Sequence, residues 1–582
     1  MDAKDEDLKS RAVQLHEHDE ESLTYTRDGS VDFYGKPALN DRTGGWKSVT
    51  LLLVNQGLVA LAFSGVEANL VLFSKLVLKQ SNVEAANTFS IWMGTTYFFS
   101  LLGALLSDSY LGRYLTCIIF QIVFIIGLVL LSFSTHFLLL KPQGCGQIEL
   151  PCESDTHNQF PIFYISIYLI ALGSGTADPA IATFGADQFD EEEPKEQRSK
   201  ALIYGYFYVA LNLGSLVAET VLAYIETTGH WVLGFWICTG CASVSFLVLL
   251  SGTLRYRHYK TFGNPFSKLT KVVVSFLRKM KFQINSIEEG LYGIEGDDTC
   301  VRRMHHTNGL RFLDRAAIVS HEANEMLLGK GQKSYKWNFC SITQNERMKY
   351  ILRVLPIWFC TIFSSSVFIQ MLSLFVEQGS TMDTTFLKFQ IPPASMTAFD
   401  IINTSTFIIL FDVLIIPLYV KVMKRSPKLP SELQSIGIGF AIATITLIVA
   451  GFVEKKRLIF ASDNGEETSS LSIFWLIPQY MLLGVAEAFV SVAQMNFFTS
   501  QTPDGLESLG MGLSMFSSAL GCYVGNIILT VVNKITSSQG QHGWVSPNLN
   551  DGHLDRYYFL IAFLIVIVLM LYIVCAKRYK GI

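Results

Sequence analysis

The sequence predicts an all-α polytopic membrane protein of about twelve helices, set out as two six-helix halves. Three observations lead there. Half of the 582 residues are apolar and only 16% are charged, which is too few charges for the surface of a soluble chain this long. The apolar residues are gathered in blocks of about 20, the length of helix that crosses a hydrocarbon core. The blocks form two groups of about six, on either side of a long polar stretch, 253–349. Short segments of alternating polarity, the mark of a β-barrel, do not occur.

The expected spans are 49–73, 88–107, 115–140, 160–182, 203–224, 231–252, 350–375, 396–420, 434–453, 472–498, 508–533 and 556–577. Many carry Gly, Ser, Thr or Ala, which let membrane helices approach closely. The leader 1–47 is polar and charged, too long and too acidic for a secretory signal, and reads as a mobile cytosolic tail. An even number of spans returns Lys577-Arg578-Tyr579-Lys580 to the same side. Basic residues crowd 253–349 and the turn 421–428, so those segments are cytoplasmic. Lys455-Lys456-Arg457 is the exception, placed outside by this topology.

Four domains follow: a tail (1–47), an N-terminal bundle (48–252), a cytosolic linker (253–349) and a C-terminal bundle (350–582). Within the linker, Asn264–Ile284 mixes Lys and Arg with Val, Leu and Phe, as a basic amphipathic helix on the cytoplasmic membrane face would. The stretch 288–298 reads as disordered. Most of the ten cysteines lie inside spans and suit core packing. Cys145 and Cys152 share an extracytoplasmic loop and are candidates for a disulfide. Two bundles joined by a linker are the ground plan of the major facilitator fold, whose halves rock around a central site.

Between the second and third spans lies Gly103-Ala-Leu-Leu-Ser-Asp108-Ser-Tyr-Leu-Gly112-Arg113. Asp108 and Arg113 on a glycine-bearing turn at a cytoplasmic helix junction can act as a gating latch, and the run resembles the loop signature of the major facilitator superfamily. Phe207-Tyr-Val-Ala-Leu-Asn212-Leu-Gly214-Ser215-Leu and Gly229-His-Trp231-Val-Leu-Gly234-Phe235 resemble the signature of proton-dependent oligopeptide transporters. Phe184-Gly-Ala-Asp187-Gln-Phe189-Asp190, Leu355-Pro-Ile-Trp358, Ile391-Pro-Pro-Ala-Ser-Met396 and Ile477-Pro478-Gln479-Tyr480 resemble the plant nitrate/peptide transporter branch. The resemblance runs from about Asp28 to the C-terminus. It implies inward termini and alternating access.

The sequence departs from that family at its charged positions. The first span of most members carries Glu-x-x-Glu-Arg/Lys for proton coupling; here those positions fall on Gln56, Val59 and Ala60. In this respect the chain is similar to the small subfamily that includes xylem nitrate transporters and a proposed potassium/proton exchanger. The fourth-span lysine of the family falls on Asp178, before Pro179. The histidine tied to nitrate binding in a relative falls on Phe368. Two cations are thus lost from the N-terminal half and an acid is gained, which disfavours a peptide whose carboxylate those cations would hold.

Carboxylates remain at membrane depth: Glu67, Asp178, Glu219 and Glu487. Each costs roughly 2.5–3.5 kcal/mol at a helix centre on insertion scales, so such residues face cavities and work there. Glu487 matches the tenth-span acid of the family. Glu67 shares a helical face with Gln56, Ala60 and Phe63 and is a candidate replacement for the lost proton site. The resemblance also suggests Tyr97, Tyr208, Asn212 and Gln370 as neutral pocket residues.

No nucleophile or metal constellation points to an enzyme, and P-loop glycines for an ATP-driven pump are absent. No cofactor and no nucleic-acid partner is expected. The expected function is secondary transport of a small molecule or ion across a bilayer, with low-affinity nitrate transport coupled to protons first. A potassium/proton exchanger, a hormone or metabolite carrier and a nutrient sensor on the same scaffold stand as alternatives. The plasma membrane is expected rather than the vacuolar one; the sequence leaves oligomeric state open.

Overall fold

In a computed structural model of the chain, residues 25–40, 42–79, 82–139, 160–190, 192–259, 270, 272–277, 310, 313, 342–386, 389–391, 393–423, 430–464, 468–502, 506–537, 543–546 and 549–579 are described. Cys145, Cys152, the acidic stretch 288–298 and residues 1–24 lie outside them.

Apolar runs with no strand-like alternation fold as twelve long helices among the described residues. In the first half these are α1 (Gly45–Glu67, extended by Leu70–Leu76), α2 (Asn82–Leu106), α3 (Arg113–Ser134), α4 (Phe160–Ala186), α5 (Pro194–Val217, continued to Thr227) and α6 (Trp231–Ser251). In the second they are α7 (Ile342–Ser380), α8 (Thr397–Leu410, continued to Met423), α9 (Glu432–Asn464), α10 (Ile477–Ser500), α11 (Glu507–Thr536) and α12 (Leu554–Arg578). Eleven of these stretches, all but α2, are long and apolar enough to cross a membrane. The one sheet among the described residues is a hairpin of β1 (Thr385–Phe386) and β2 (Phe389–Gln390) between α7 and α8.

Each half has its own apolar core. Phe73, Trp92, Phe124, Phe163, Trp231 and Phe235 pack together in the first; Phe375, Phe440, Tyr480, Tyr557 and Tyr558 do so in the second. Large apolar side chains such as Phe98, Val413, Ile527, Phe563 and Met570 are exposed on the outer faces, as lipid contact requires. Small residues set the closest approaches within a half. A Cβ on Gly103 of α2 would lie 2.1 Å from the Thr176 carbonyl oxygen of α4, and one on Gly175 of α4 equally close to that of Thr96. The halves meet where α2 packs on α11 and α5 on α8.

Two segments differ from expectation. Residues 25–44 carry defined structure: Thr26 and Ala38 bond across a turn, Val31 pairs with His258, and the Arg27 amide donates to Asp190 Oδ2 at 2.9 Å. Buried Arg257 bonds Glu196 at 2.8 Å. Charge in this leader is therefore spent on fixed partners at the cytoplasmic ends of α4, α5 and α6. The second segment is α9, which runs past 453 through Lys455-Lys456-Arg457. Arg457 and Glu454 are fully buried and doubly hydrogen-bonded at 2.8 and 2.9 Å. Lys456 lies 3.6 Å over the ring of Trp475, a cation–π contact. This basic cluster is thus tied up by protein partners, which removes its conflict with the inward termini. Of the expected amphipathic helix, the described residues 272–277 are helical, and Val272 is buried against Phe276 and Met348.

Candidate functional site

The deepest charges meet at the seam between the halves. Glu487, midway along α10, accepts a hydrogen bond from the Tyr208 hydroxyl of α5 at 2.6 Å. It also shares a hydrogen bond with Asp400, in the first turn of α8. Asp400 is 3% exposed. A hydrogen bond between two carboxyl groups needs a proton on one of them, because two anions in contact repel. The arrangement therefore holds a proton between α8 and α10, with a phenol from the opposite half as a further donor. Thr404 lies one turn on from Asp400 and donates to the Gly484 carbonyl at 3.0 Å, binding α8 to α10 beside the pair.

The other acids divide differently from the pairing suggested by the sequence. Glu67 faces Glu219, whereas Asp178 accepts from Gln56 Nε2 at 3.3 Å. Glu219 also accepts from Thr397 of α8 at 3.0 Å, a second link across the seam on the outer side. Tyr97 of α2 stands within electrostatic reach of Glu67, Asp178 and Glu487 and so marks the middle of the cavity. Asn212 is buried on α5, one turn beyond Tyr208. Gln370 is placed inside the second half: its oxygen accepts from the Tyr557 hydroxyl at 3.0 Å and its amide donates to the Gly525 carbonyl. Phe368 is packed in the apolar core of that half.

At the cytoplasmic end, the chain after α2 makes one wide turn, Ser107–Leu111, and reverses at Gly112, whose φ of +79° suits glycine. Asp108 Oδ2 accepts the Leu509 amide at 2.9 Å, at the start of α11 in the other half. Arg113 bonds Asp187 and Glu507 and reaches Ser508 at 3.2 Å. Thr183 and Ser508 hydroxyls are 2.9 Å apart. Burial pushes the Asp108 carboxyl up to about 7 and that of Asp187 up to about 6, against the pull of Arg113. Asp108 and Arg113 thus fasten the two halves to each other, and Asp187, Glu507 and Ser508 complete the latch.

Asp400 is the residue that sequence reasoning missed. A first-turn acid reads as an ordinary partner of the helix dipole, and only the crossing of α8 and α10 reveals its neighbour. Its position inside an expected span was the available signal.

Two pseudo-symmetric helical bundles, a carboxyl pair at their seam and a latch at one end define a membrane transporter of the major facilitator type rather than an enzyme. Residues 114–545 match the POT family. The chain is 48% identical over 566 residues to Protein NRT1/PTR FAMILY 7.3 of Arabidopsis thaliana, covering 96% of this chain and 92% of that protein. Identity to Protein NRT1/PTR FAMILY 7.2 of the same plant is also 48%, with 95% of each covered. The fold is similar to the crystal structure of an auto-inhibited POT family peptide transporter, with TM-score 0.59 and 20% identity over 92% of this chain and 98% of that one. A POT family transporter in complex with 5-aminolevulinic acid gives TM-score 0.58 at 13% identity, over 93% and 99% of the two chains. The chain belongs to the POT family.

Proposed function

We propose that the chain is a proton-coupled secondary transporter of a small solute, with nitrate as the first substrate to test and the plasma membrane as its site. The observation that carries this reading is the hydrogen-bonded Glu487–Asp400 pair capped by Tyr208 from the opposite half. Taking up or losing the shared proton changes the charge of a buried seam, and charge there changes the balance between conformers of a rocking protein. The acids set the sign of the coupling. An anion enters a cavity lined by Glu67, Asp178, Glu219 and Glu487 only when protons neutralise them, so anion uptake rises with external acid.

Cation/proton exchange is a second reading, favoured by the acid-rich cavity and by Val59, Ala60 and Asp178 at positions where most members carry charges of other kinds. In that case external cation uptake falls with external acid. The two are separated by recording currents and tracer flux from expressing oocytes, with nitrate, potassium and organic anions across external pH. Glu487→Gln is expected to reach the surface and lose net flux; full activity in that variant would remove the residue from the mechanism. Binding without flux would make the protein a sensor.

A further inference from the structure

A second polar site lies wholly inside the first half, away from the carboxyl pair. A small cavity between α1, α3 and α4 has room for roughly one water-sized particle. Asn55, Gln56, Gln121 and Asp178 line it, with Ser174 and Cys117. Asn55, Gln56 and Gln121 are 0%, 2% and 3% exposed.

The hydrogen bonds fix which way each amide points. Asn55 Nδ2 donates to the Ser245 carbonyl at 2.7 Å, and Gln56 Nε2 donates to Asp178 Oδ1 at 3.3 Å. Neither acceptor can donate in return. Gln121 Nε2 donates to Ser245 Oγ at 3.1 Å, and the hydroxyl proton of Ser245 goes to the Ala242 carbonyl at 2.8 Å. The remaining oxygens, Asn55 Oδ1, Gln56 Oε1 and Gln121 Oε1, are buried with no hydrogen-bond partner among the described residues. No lysine, arginine or histidine lines the cavity.

Three buried amide oxygens beside one carboxylate, with their amide donors already committed, call for something that accepts electron pairs. One water supplies two protons and leaves acceptors unserved. A cation serves all of them at once, as carbonyl oxygens do where they replace an ion's hydration shell. The single carboxylate balances a single charge, whereas a divalent ion would lack a second anionic ligand. We propose that Asn55, Gln56, Gln121 and Asp178 form a binding site for one dehydrated alkali cation, sodium or potassium, inside the N-terminal half. Asp178 is only partly buried, so the ion touches the central cavity through that carboxylate and the site is distinct from the Glu487–Asp400 pair.

The test uses the purified full chain in detergent, with radioactive sodium and rubidium (a stand-in for potassium) in scintillation-proximity binding at constant ionic strength, choline as the balancing cation. One of the two tracers binds to a single saturable class of site and raises the thermal midpoint, which identifies the ion. Gln121→Leu and Asp178→Asn weaken binding about tenfold or more. Gln121→Glu, which keeps the size and adds an anionic ligand, tightens it. Glu487→Gln binds the ion as the wild type does, so loss of transport in that variant does not bear on this site. Absence of saturable binding of either tracer to the folded wild type overturns the proposal. So does binding that Gln121→Leu and Asp178→Asn leave unchanged. Should those two variants fail to fold, the wild-type tracers and Gln121→Glu decide the question.

Discussion

Asp108 shows how much one buried carboxyl changes the meaning of a loop motif. Its pKa and that of Asp187 are raised by burial in the closed latch, whereas in an opened latch both would be exposed and near the ordinary carboxyl value. The closed form therefore binds more protons, and by linkage it gains stability as cytosolic pH falls from about 7 towards 4 and loses it as pH rises. Asp108→Asn is expected to slow turnover more than it weakens substrate binding. It should also flatten the pH dependence of the conformational equilibrium, read by cysteine accessibility on the cytoplasmic face. Unchanged turnover with weaker binding would assign Asp108 to the substrate instead. Asp108, Arg113, Tyr208 and Glu487 were legible in the sequence because their motifs place them at helix junctions or at mid-span. Asp400 was not, because its role depends on α10 crossing beside it. Gln370 shows the opposite case: a polar residue at the right depth in α7, turned towards Tyr557 of α12 rather than to the seam.

Helix α9 illustrates what an element owes to a few contacts. Arg457 bonds both oxygens of Glu454 and also Asn550 Oδ1 at 2.6 Å and the Leu549 carbonyl at 3.3 Å, which ties α9 to the loop before α12. Removing one partner strands a buried charge. Glu454→Gln or Arg457→Met is expected to cost about 3–5 kcal/mol, measured as a lower thermal midpoint in detergent, while Glu454→Leu with Arg457→Met together recovers much of the loss. Additive losses in the double variant would show that the pair itself is not the cause. The end of this helix was misjudged at 453 because a run of three basic residues reads as a boundary when its partners are unseen. The contact of α2 with α4 offers a second check. A side chain on Gly103 would meet the α4 backbone at Thr176, so Gly103→Val should sharply reduce the folded yield, judged by size-exclusion profile, whereas Gly240→Ala, with nothing within 4 Å of its Cβ, should leave it unchanged.

At the scale of the molecule, apolar block length and the central linker were enough to give twelve helices in two halves, because both follow from the thickness of a bilayer. How the halves touch was beyond the sequence, since no local pattern encodes a contact between Arg113 and Glu507, nearly 400 residues away. Arg113→Gln is expected to loosen the cytoplasmic end and raise labelling of cysteines introduced there, without altering labelling at the outer ends of α7 and α8. Equal labelling in both forms would deny the latch its hold on the halves. The bond from Tyr208 to Glu487 has a consequence of its own, for it joins opposite halves through the group that shares the proton. Whenever rocking separates α5 from α10, the carboxyl pair must lose its phenol, so occupancy and tilt are read by one and the same atom. Such a device behaves as an escapement: it releases one step for each proton exchanged. Tyr208→Phe should therefore let it slip, leaking protons without cargo and lowering the solute carried per proton even where total current persists.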